Sequence, residues 1–294
     1  MLTPFTSDLA IDWAALDALT DWYIGTGVVG LFAVCLSSEM YVLQPEERLA
    51  LAERVVQRTA GRVPVVASGT FGGPLAEQAA TVRHMAGTGV DAVVVIANQL
   101  VRENESEVTW MDAASRLLDL LPEVRLGLYE CPVPYHRLLS AKAIRWAAQS
   151  GRFLFHKDTS CRIGAIHDKI AATRGTRFRF FNAHTPTLLA SLRAGGDGYS
   201  GTAANLYPEL LAWLCRHHGE DPARAERLQH LLSVCDRAAA FKYPTVAKEY
   251  LALLGLPIEP VCRVPQVPLD EPDRTILKHL VALASERCAD LGIA

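Results

Sequence analysis

Residues 153–158 read Phe-Leu-Phe-His-Lys-Asp, an apolar run that ends on a lysine. Strand alternation sends Phe153, Phe155 and Lys157 to one face and Leu154 and His156 to the other. An amine aligned with two phenylalanines faces desolvation if that side looks inward. Desolvation disfavours the ammonium form and leaves some free amine able to attack a carbonyl. Schiff-base chemistry is therefore the leading idea for Lys157. The bland reading, that Lys157 is the first solvated residue past a buried strand, carries more weight on this segment alone. A phenol, Tyr129, ends another apolar run 28 residues earlier.

The elements that must position such groups follow from the pattern of the chain. Short apolar, β-branched or aromatic runs at 28–34, 63–68, 92–97, 125–131, 153–158, 177–182 and 198–202 alternate with amphipathic stretches at 45–59, 75–86, 105–120, 141–149, 163–173 and 186–193. This alternation predicts repeated βα units around a parallel sheet, an α/β TIM (β/α)8 barrel spanning 1–218. Seven strands are legible, and the eighth belongs ahead of Thr3-Pro4-Phe5, where only Met1 and Leu2 stand, so the first strand reads as truncated. Residues 219–294 read as a C-terminal helical region, with helices near 222–240, 244–254 and 270–291 and a connector containing Pro257, Pro260, Pro265 and Pro268.

In such a barrel the reacting groups lie at the C-terminal ends of strands. The ends are Cys35-Leu36-Ser37-Ser38-Glu39, Tyr129-Glu130-Cys131-Pro132, Lys157-Asp158-Thr159-Ser160 and Tyr199-Ser200-Gly201-Thr202. An amine, a phenol, hydroxyls and backbone donors around one cavity suit capture of a 2-oxo acid. Alternation turns His156 and Asp158 away from Lys157, His156 to a packing role and Asp158 to orienting its neighbours. Glu39 reads as a holder of the serine loop, Lys248 as half of a structural ion pair, and Cys35 and Cys131 as pocket lining.

Composition limits the partners. The chain has 294 residues, half of them hydrophobic, and a net charge of −3, so no basic surplus favours nucleic acid or an anionic membrane. Seven scattered cysteines, never spaced Cys-x-x-Cys, predict neither a disulfide framework nor a zinc site. With no basic-then-apolar N-terminal segment and no apolar stretch of spanning length, a cytoplasmic protein is expected.

The ordered motifs resemble the dihydrodipicolinate synthase and N-acetylneuraminate lyase family of class I, Schiff-base aldolases. They are Thr3-Pro4-Phe5, Ile11-Asp12, Glu39 with Leu43 and Glu46-Glu47-Arg48, Leu128-Tyr129 with Pro132, Lys157-Asp158-Thr159-Ser160, Gly195-Gly196-Asp197-Gly198-Tyr199-Ser200 with Ala204-Asn205 and Pro208, then Tyr243-Pro244, Lys248 and Leu254-Gly255-Leu256. The resemblance implies that Lys157 forms an imine with pyruvate, that Tyr129 relays protons, that Ser37 and Ser38 hold the carboxylate, and that Gly201 and Thr202 border the imine. It also implies an aldehyde as second substrate, a dimer or tetramer, and no metal or cofactor, because the protonated imine is the electron sink. Leu36 and Leu100 depart from the family's relay hydroxyls, and Pro134 replaces an arginine that binds a second carboxylate, although Arg137 lies three residues on. The departures disfavour lysine biosynthesis. Three alternatives stand beside the aldolase: dehydration of a 2-oxo-3-deoxy sugar acid, a dihydrodipicolinate-type condensation, and a non-catalytic descendant that binds 2-oxo acids.

Overall fold

The structure is a computed structural model that describes residues 1–293. Its seven described strands are β1 (Leu31–Phe32), β2 (Val65–Ser68), β3 (Ala92–Ile96), β4 (Leu126–Tyr129), β5 (Phe153–Asp158), β6 (Arg179–Asn182) and β7 (Gly198–Tyr199). The helices are α1 (Trp13–Gly25), α2 (Pro45–Thr59), α3 (Leu75–Gly87), α4 (Glu107–Leu120), α5 (Ala141–Gln149), α6 (Ile163–Thr173), α7 (Leu188–Arg193), α8 (Pro208–His217), α9 (Pro222–Ala240), α10 (Thr245–Leu253) and α11 (Glu271–Leu291). This βα alternation, followed by helices alone, is a TIM-barrel-like α/β fold with a C-terminal helical region.

Two compact units divide the chain, one formed by Met1–Val63 with Gly201–Ala294, the other by Pro64–Ser200. In the second unit β2 to β7 pair in parallel, each with the next in the chain. All five residues of β3, Ala-Val-Val-Val-Ile, are buried, as expected of a strand covered on both faces. Helices α4 and α5 begin where a short polar side chain takes up an otherwise unpaired N–H. Ser106 accepts from Thr109 N at 3.1 Å ahead of α4, and Ser140 from Ala143 N at 3.3 Å ahead of α5. Behind β5 and β6, Ile166 and Ile170 of α6 pack on Phe180.

In the first unit, residues 1–4 are buried but form no strand ladder, and the Met1 nitrogen donates to Phe32 O at 2.7 Å. The run 28–34 narrows to Leu31–Phe32 because Cys35 opens a tight 3-10 turn over Leu36–Ser38. At the other end, the 198–202 run shortens to two residues where the 3-10 turn Thr202–Asn205 begins.

Glu39 is the fastening point of the first unit. One carboxylate oxygen accepts Lys248 Nζ at 2.7 Å, and the other accepts the Arg263 and Val264 N–H groups at 2.7 and 2.9 Å. Arg263 also forms a two-point pair with Glu47 at 2.6 and 2.8 Å. The serine loop is thereby joined to α10 and to the proline-rich connector. Because Glu39 and Lys248 are both buried, each charge depends on the other.

Candidate active site

Lys157 and Tyr129 are register partners on adjacent strands, β5 and β4. The lysine Nζ lies 4.5 Å from the centroid of the tyrosine ring. Tyr129 is buried and Lys157 half-buried. On its other side Lys157 is in register with Phe181 of β6, and Phe155 meets Phe181 edge-on at 6.0 Å between centroids. The amine thus stands among Phe155, Phe181 and the phenol. The expected alternation holds only from Phe155 onward: β5 carries a bulge between its pairings with Leu126 and Leu128, so Phe153 turns to the face of His156 and meets Trp146 of α5, and of the two phenylalanines only Phe155 shares the face of Lys157.

A glycine makes this arrangement possible. Gly127 shares a face with Tyr129, and a methyl group placed on it would lie 2.3 Å from Phe155 Cζ. The missing side chain admits the Phe155 ring directly beneath the lysine–tyrosine pair. We expect Gly127→Ala to displace that ring and to cost about 1–3 kcal/mol, the usual range for overpacking. Thermal unfolding reads the cost, and unchanged stability with an unmoved Phe155 would refute the packing account.

Past the strand ends, the Thr159 hydroxyl donates to Glu130 O at 2.6 Å and lies 2.7 Å from His136 Nε2. Since the hydroxyl hydrogen is committed to the carbonyl, Nε2 must carry the hydrogen of the second bond. The loop bearing His136 is held by Asn98, whose Nδ2 reaches Cys131 O at 2.7 Å and Val133 O at 3.0 Å. Arg137 is used in the same way: one Nη donates to the carbonyls of Arg102, Glu103 and Glu105 at 2.7, 3.2 and 3.0 Å. Its guanidinium is a loop clamp, which leaves the second-carboxylate role of the missing arginine unfilled by Arg137.

Behind the lysine, on the face toward α6, lies a buried charged cluster. Lys169 Nζ is 2.6 Å from Glu130 Oε1 and 2.6 Å from Asp158 Oδ2. His156 Nε2 lies 3.4 Å from the same Glu130 oxygen and 3.8 Å from the same Asp158 oxygen. Burial on its own would lower the imidazole's pKa, but the Glu130 and Asp158 carboxylates outweigh it and hold it above the ordinary value. Burial likewise pushes both carboxyls upward, and the cations overcome it. His156 and then Lys169 hold Glu130 below its usual range and Asp158 far below it. Sequence alternation places His156 and Asp158 on this face, but Lys169 and Glu130 carried no signal of their own.

The other expected residues lie in the first unit. Ser37 hydrogen-bonds the buried Tyr243 hydroxyl, which also accepts from Asn205 Nδ2 at 2.7 Å. Asn205 Oδ1 in turn accepts from Tyr23 at 2.5 Å, and Asn205 Nδ2 reaches Thr202 O at 3.2 Å. Ser37 and the Gly201–Thr202 segment are therefore joined through one polar chain. Burial pushes the Tyr23 and Tyr243 phenols well above their ordinary pKa, so both stay protonated. Ser38 differs from the expectation. Its hydroxyl is engaged with Met1 O at 2.9 Å and with Ala33 O, and its N–H with Cys35 O at 3.0 Å. With its donors turned into the loop and no exposed surface, Ser38 closes the turn.

A TIM-barrel-like parallel α/β fold thus sets a lysine amine against a tyrosine ring at the ends of adjacent strands. The Dihydrodipicolinate synthetase family model matches residues 1–284, and the chain belongs to that family. It is 29% identical to a 4-hydroxy-tetrahydrodipicolinate synthase of Gluconacetobacter diazotrophicus, over 93% of this chain and 91% of that protein. It is 28% identical to a probable 2-dehydro-3-deoxy-D-pentonate aldolase, YjhH of Escherichia coli, over 89% and 87% of the two chains. Among solved structures, YagE, a prophage protein of the dihydrodipicolinic acid synthase family from E. coli K12 in complex with pyruvate, superposes with a TM-score of 0.87. It shares 26% identity and covers 97% of this chain and 96% of its own. The protein is accordingly a lyase or synthase of this family, and no described helix is long and apolar enough to cross a membrane.

Proposed function

We propose that the protein is a class I aldolase acting on pyruvate or a related 2-oxo acid, with Lys157 as the imine-forming amine and Tyr129 as the proton relay. The observation that carries this reading is the contact of the Lys157 amine with the Tyr129 ring, 4.5 Å from Nζ to centroid, on strands in direct register. The lysine attacks the ketone, water leaves, and the protonated imine draws electrons from the adjacent carbon–carbon bond as it breaks or forms. Tyr129 passes protons between the nitrogen and the oxygen that leaves or forms. Ser37, with the Gly201 and Thr202 backbone, binds the carboxylate, and an aldehyde is the second substrate. The absence of the relay hydroxyls at Leu36 and Leu100 and the diversion of Arg137 favour cleavage or condensation of a sugar-acid type substrate over lysine biosynthesis, and relatives named as aldolases stand beside those named as synthases. A cytoplasmic homo-oligomer is part of the same reading.

The test is incubation with pyruvate, reduction with borohydride and mass spectrometry. A pyruvate adduct on Lys157 is expected; no adduct with pyruvate or with a panel of 2-oxo acids would favour a binding protein without turnover. Product analysis with candidate aldehydes then separates aldolase from dehydratase. For Tyr129→Phe we expect the adduct to persist while turnover drops about 100- to 10,000-fold, the usual scale for losing a general acid–base group. Unchanged turnover would remove Tyr129 from the mechanism.

A further inference from the structure

We propose that Glu130, His156, Asp158 and Lys169 form a charge-balanced positioning unit that fixes the lysine amine against the phenol, with His156 as its second cation. The inference rests on the imine reading above. It begins from chain adjacency: Glu130 follows Tyr129, and His156 and Asp158 flank Lys157. Every group in the cluster is buried, and each is one bond along the backbone from a reacting residue or bound to one that is.

Glu130 stitches the two strand ends together. Its N–H donates to Lys157 O at 3.3 Å, its carbonyl accepts the Thr159 hydroxyl at 2.6 Å, and its Oε2 accepts Thr159 N at 3.1 Å. Its Oε1 accepts Leu139 N at 2.7 Å and Lys169 Nζ at 2.6 Å. Asp158 turns the chain just beyond, accepting Ser160 N at 3.0 Å and Ser160 Oγ at 2.8 Å. Lys169 then bridges both carboxylates from α6. The peptides carrying the amine and the phenol are held by these bonds, those at Glu130 through both of its carboxylate oxygens and those to Ser160 through one oxygen of Asp158.

Charge accounting identifies the role of His156. Two buried carboxylates against one ammonium leave one negative charge, which an imidazolium cancels. Neither ring nitrogen makes a hydrogen bond of good geometry in either charge state, so what separates the two states is Coulombic: a charged ring gains from two carboxylates within 3.8 Å of Nε2, and a neutral ring gains nothing from them. The charged groups around the ring are Glu130 at the end of β4, Asp158 on β5 and Lys169 on α6. Strand β6 presents the Phe180 ring at 5.8 Å, and the buried face of α5 is apolar. The same carboxylates and imidazole could hold a divalent ion, but Lys169 Nζ already places a cation at hydrogen-bond distance from both acids.

An uncompensated charge here would draw water or a proton into the sheet and loosen the Glu130–Thr159 stitches. The amine would then shift relative to the phenol, and a displacement on the order of 1 Å can cost roughly 100-fold in rate. The experiment measures the rate of pyruvate adduct formation, trapped with borohydride, across pH in the wild type, His156→Gln and the double variant Asp158→Asn/His156→Gln, whose asparagine oxygen can keep both Ser160 bonds and which leaves Glu130 in place. At pH 7 His156→Gln should be at least about tenfold slower, and the gap should close as the wild-type imidazole loses its proton at higher pH. The double variant, neutral again, should recover to within about threefold of wild type. A gap that stays constant with pH, or a double variant slower than the single, would show a merely structural role and overturn the inference. Wild type without any adduct would overturn the imine reading and the positioning role together, whereas a normal wild-type adduct with indifferent variants overturns the positioning role alone. Where His156→Gln does not fold, selective 15N labelling of the nine histidines in the wild type gives the same decision. One imidazole should remain doubly protonated above the pH of about 6.5 at which exposed histidines titrate; nine rings titrating together would refute it.

Discussion

Replacing Lys157 with alanine should abolish the borohydride-trapped pyruvate adduct and lower turnover by on the order of 10,000-fold or more, the scale expected when a covalent nucleophile is removed. By the relation between rate and barrier, that loss is about 5.4 kcal/mol. The magnitude follows from what the amine supplies. Without the imine, the electrons of the breaking carbon–carbon bond must be accepted by a neutral ketone, and no neighbouring residue can substitute covalently. The Tyr129 phenol can move a proton, but it cannot become the electron sink. Stability should change little, because Lys157 is half-buried and its amine lies over the Tyr129 ring. A folded Lys157→Ala chain that still cleaves a 2-oxo acid at more than a few per cent of the wild-type rate would end the Schiff-base account. Lys157→Arg separates charge from nucleophilicity, since it keeps the cation over the ring and removes the usable lone pair.

The largest effect on stability should come from Lys169→Met. The side chain fills similar space, yet two buried carboxylates lose the ammonium 2.6 Å from each. Removing one partner of a buried ion pair costs about 3–5 kcal/mol, because the remaining charge is left without solvent or counter-ion. The signs of the pKa shifts add a pH signature. His156 is held above its unfolded value, so its contribution is complete below about pH 6.5 and disappears as pH rises through its native titration. Glu130 and Asp158 are held below theirs, so their contributions are complete above about pH 4.3 and disappear as pH falls. Wild-type stability from this cluster should therefore peak between roughly pH 4.3 and 6.5. In Lys169→Met the carboxyls lose one of their two cations, so the acid limb should move to higher pH. Melting temperature measured across pH 3–9 for both chains decides this, and parallel curves would show that the cluster is not the source of the pH dependence.

Much of the proposed reacting pair is legible in the sequence because its signals are local. Alternation over 155–158 sets Lys157 opposite His156 and Asp158 without reference to anything else in the chain, whereas the bulge that turns Phe153 to the other face left no local signal. Tyr129 ends its apolar run for the same reason, and parallel pairing of consecutive strands then makes the two neighbours. The strand ends that misled were those where a turn competes with extension. Cys35 and Gly201 each open a 3-10 turn, so the runs 28–34 and 198–202 yield two-residue strands. Ser38 was read as a ligand because its type and position matched, but a hydroxyl's direction depends on which acceptors surround it, here Met1 and Ala33.

By itself the sequence determined the alternation of strand and helix, the face on which the amine stands and the phenol beside it, since backbone sterics and side-chain periodicity act over a few residues. Only the tertiary structure decided the charge environment. Lys169 returns from α6 to meet Glu130 across 39 positions, and Lys248 meets Glu39 across 209. Coulomb interactions depend on distance through space and on exclusion of water, and neither is encoded in the spacing of residues along the chain.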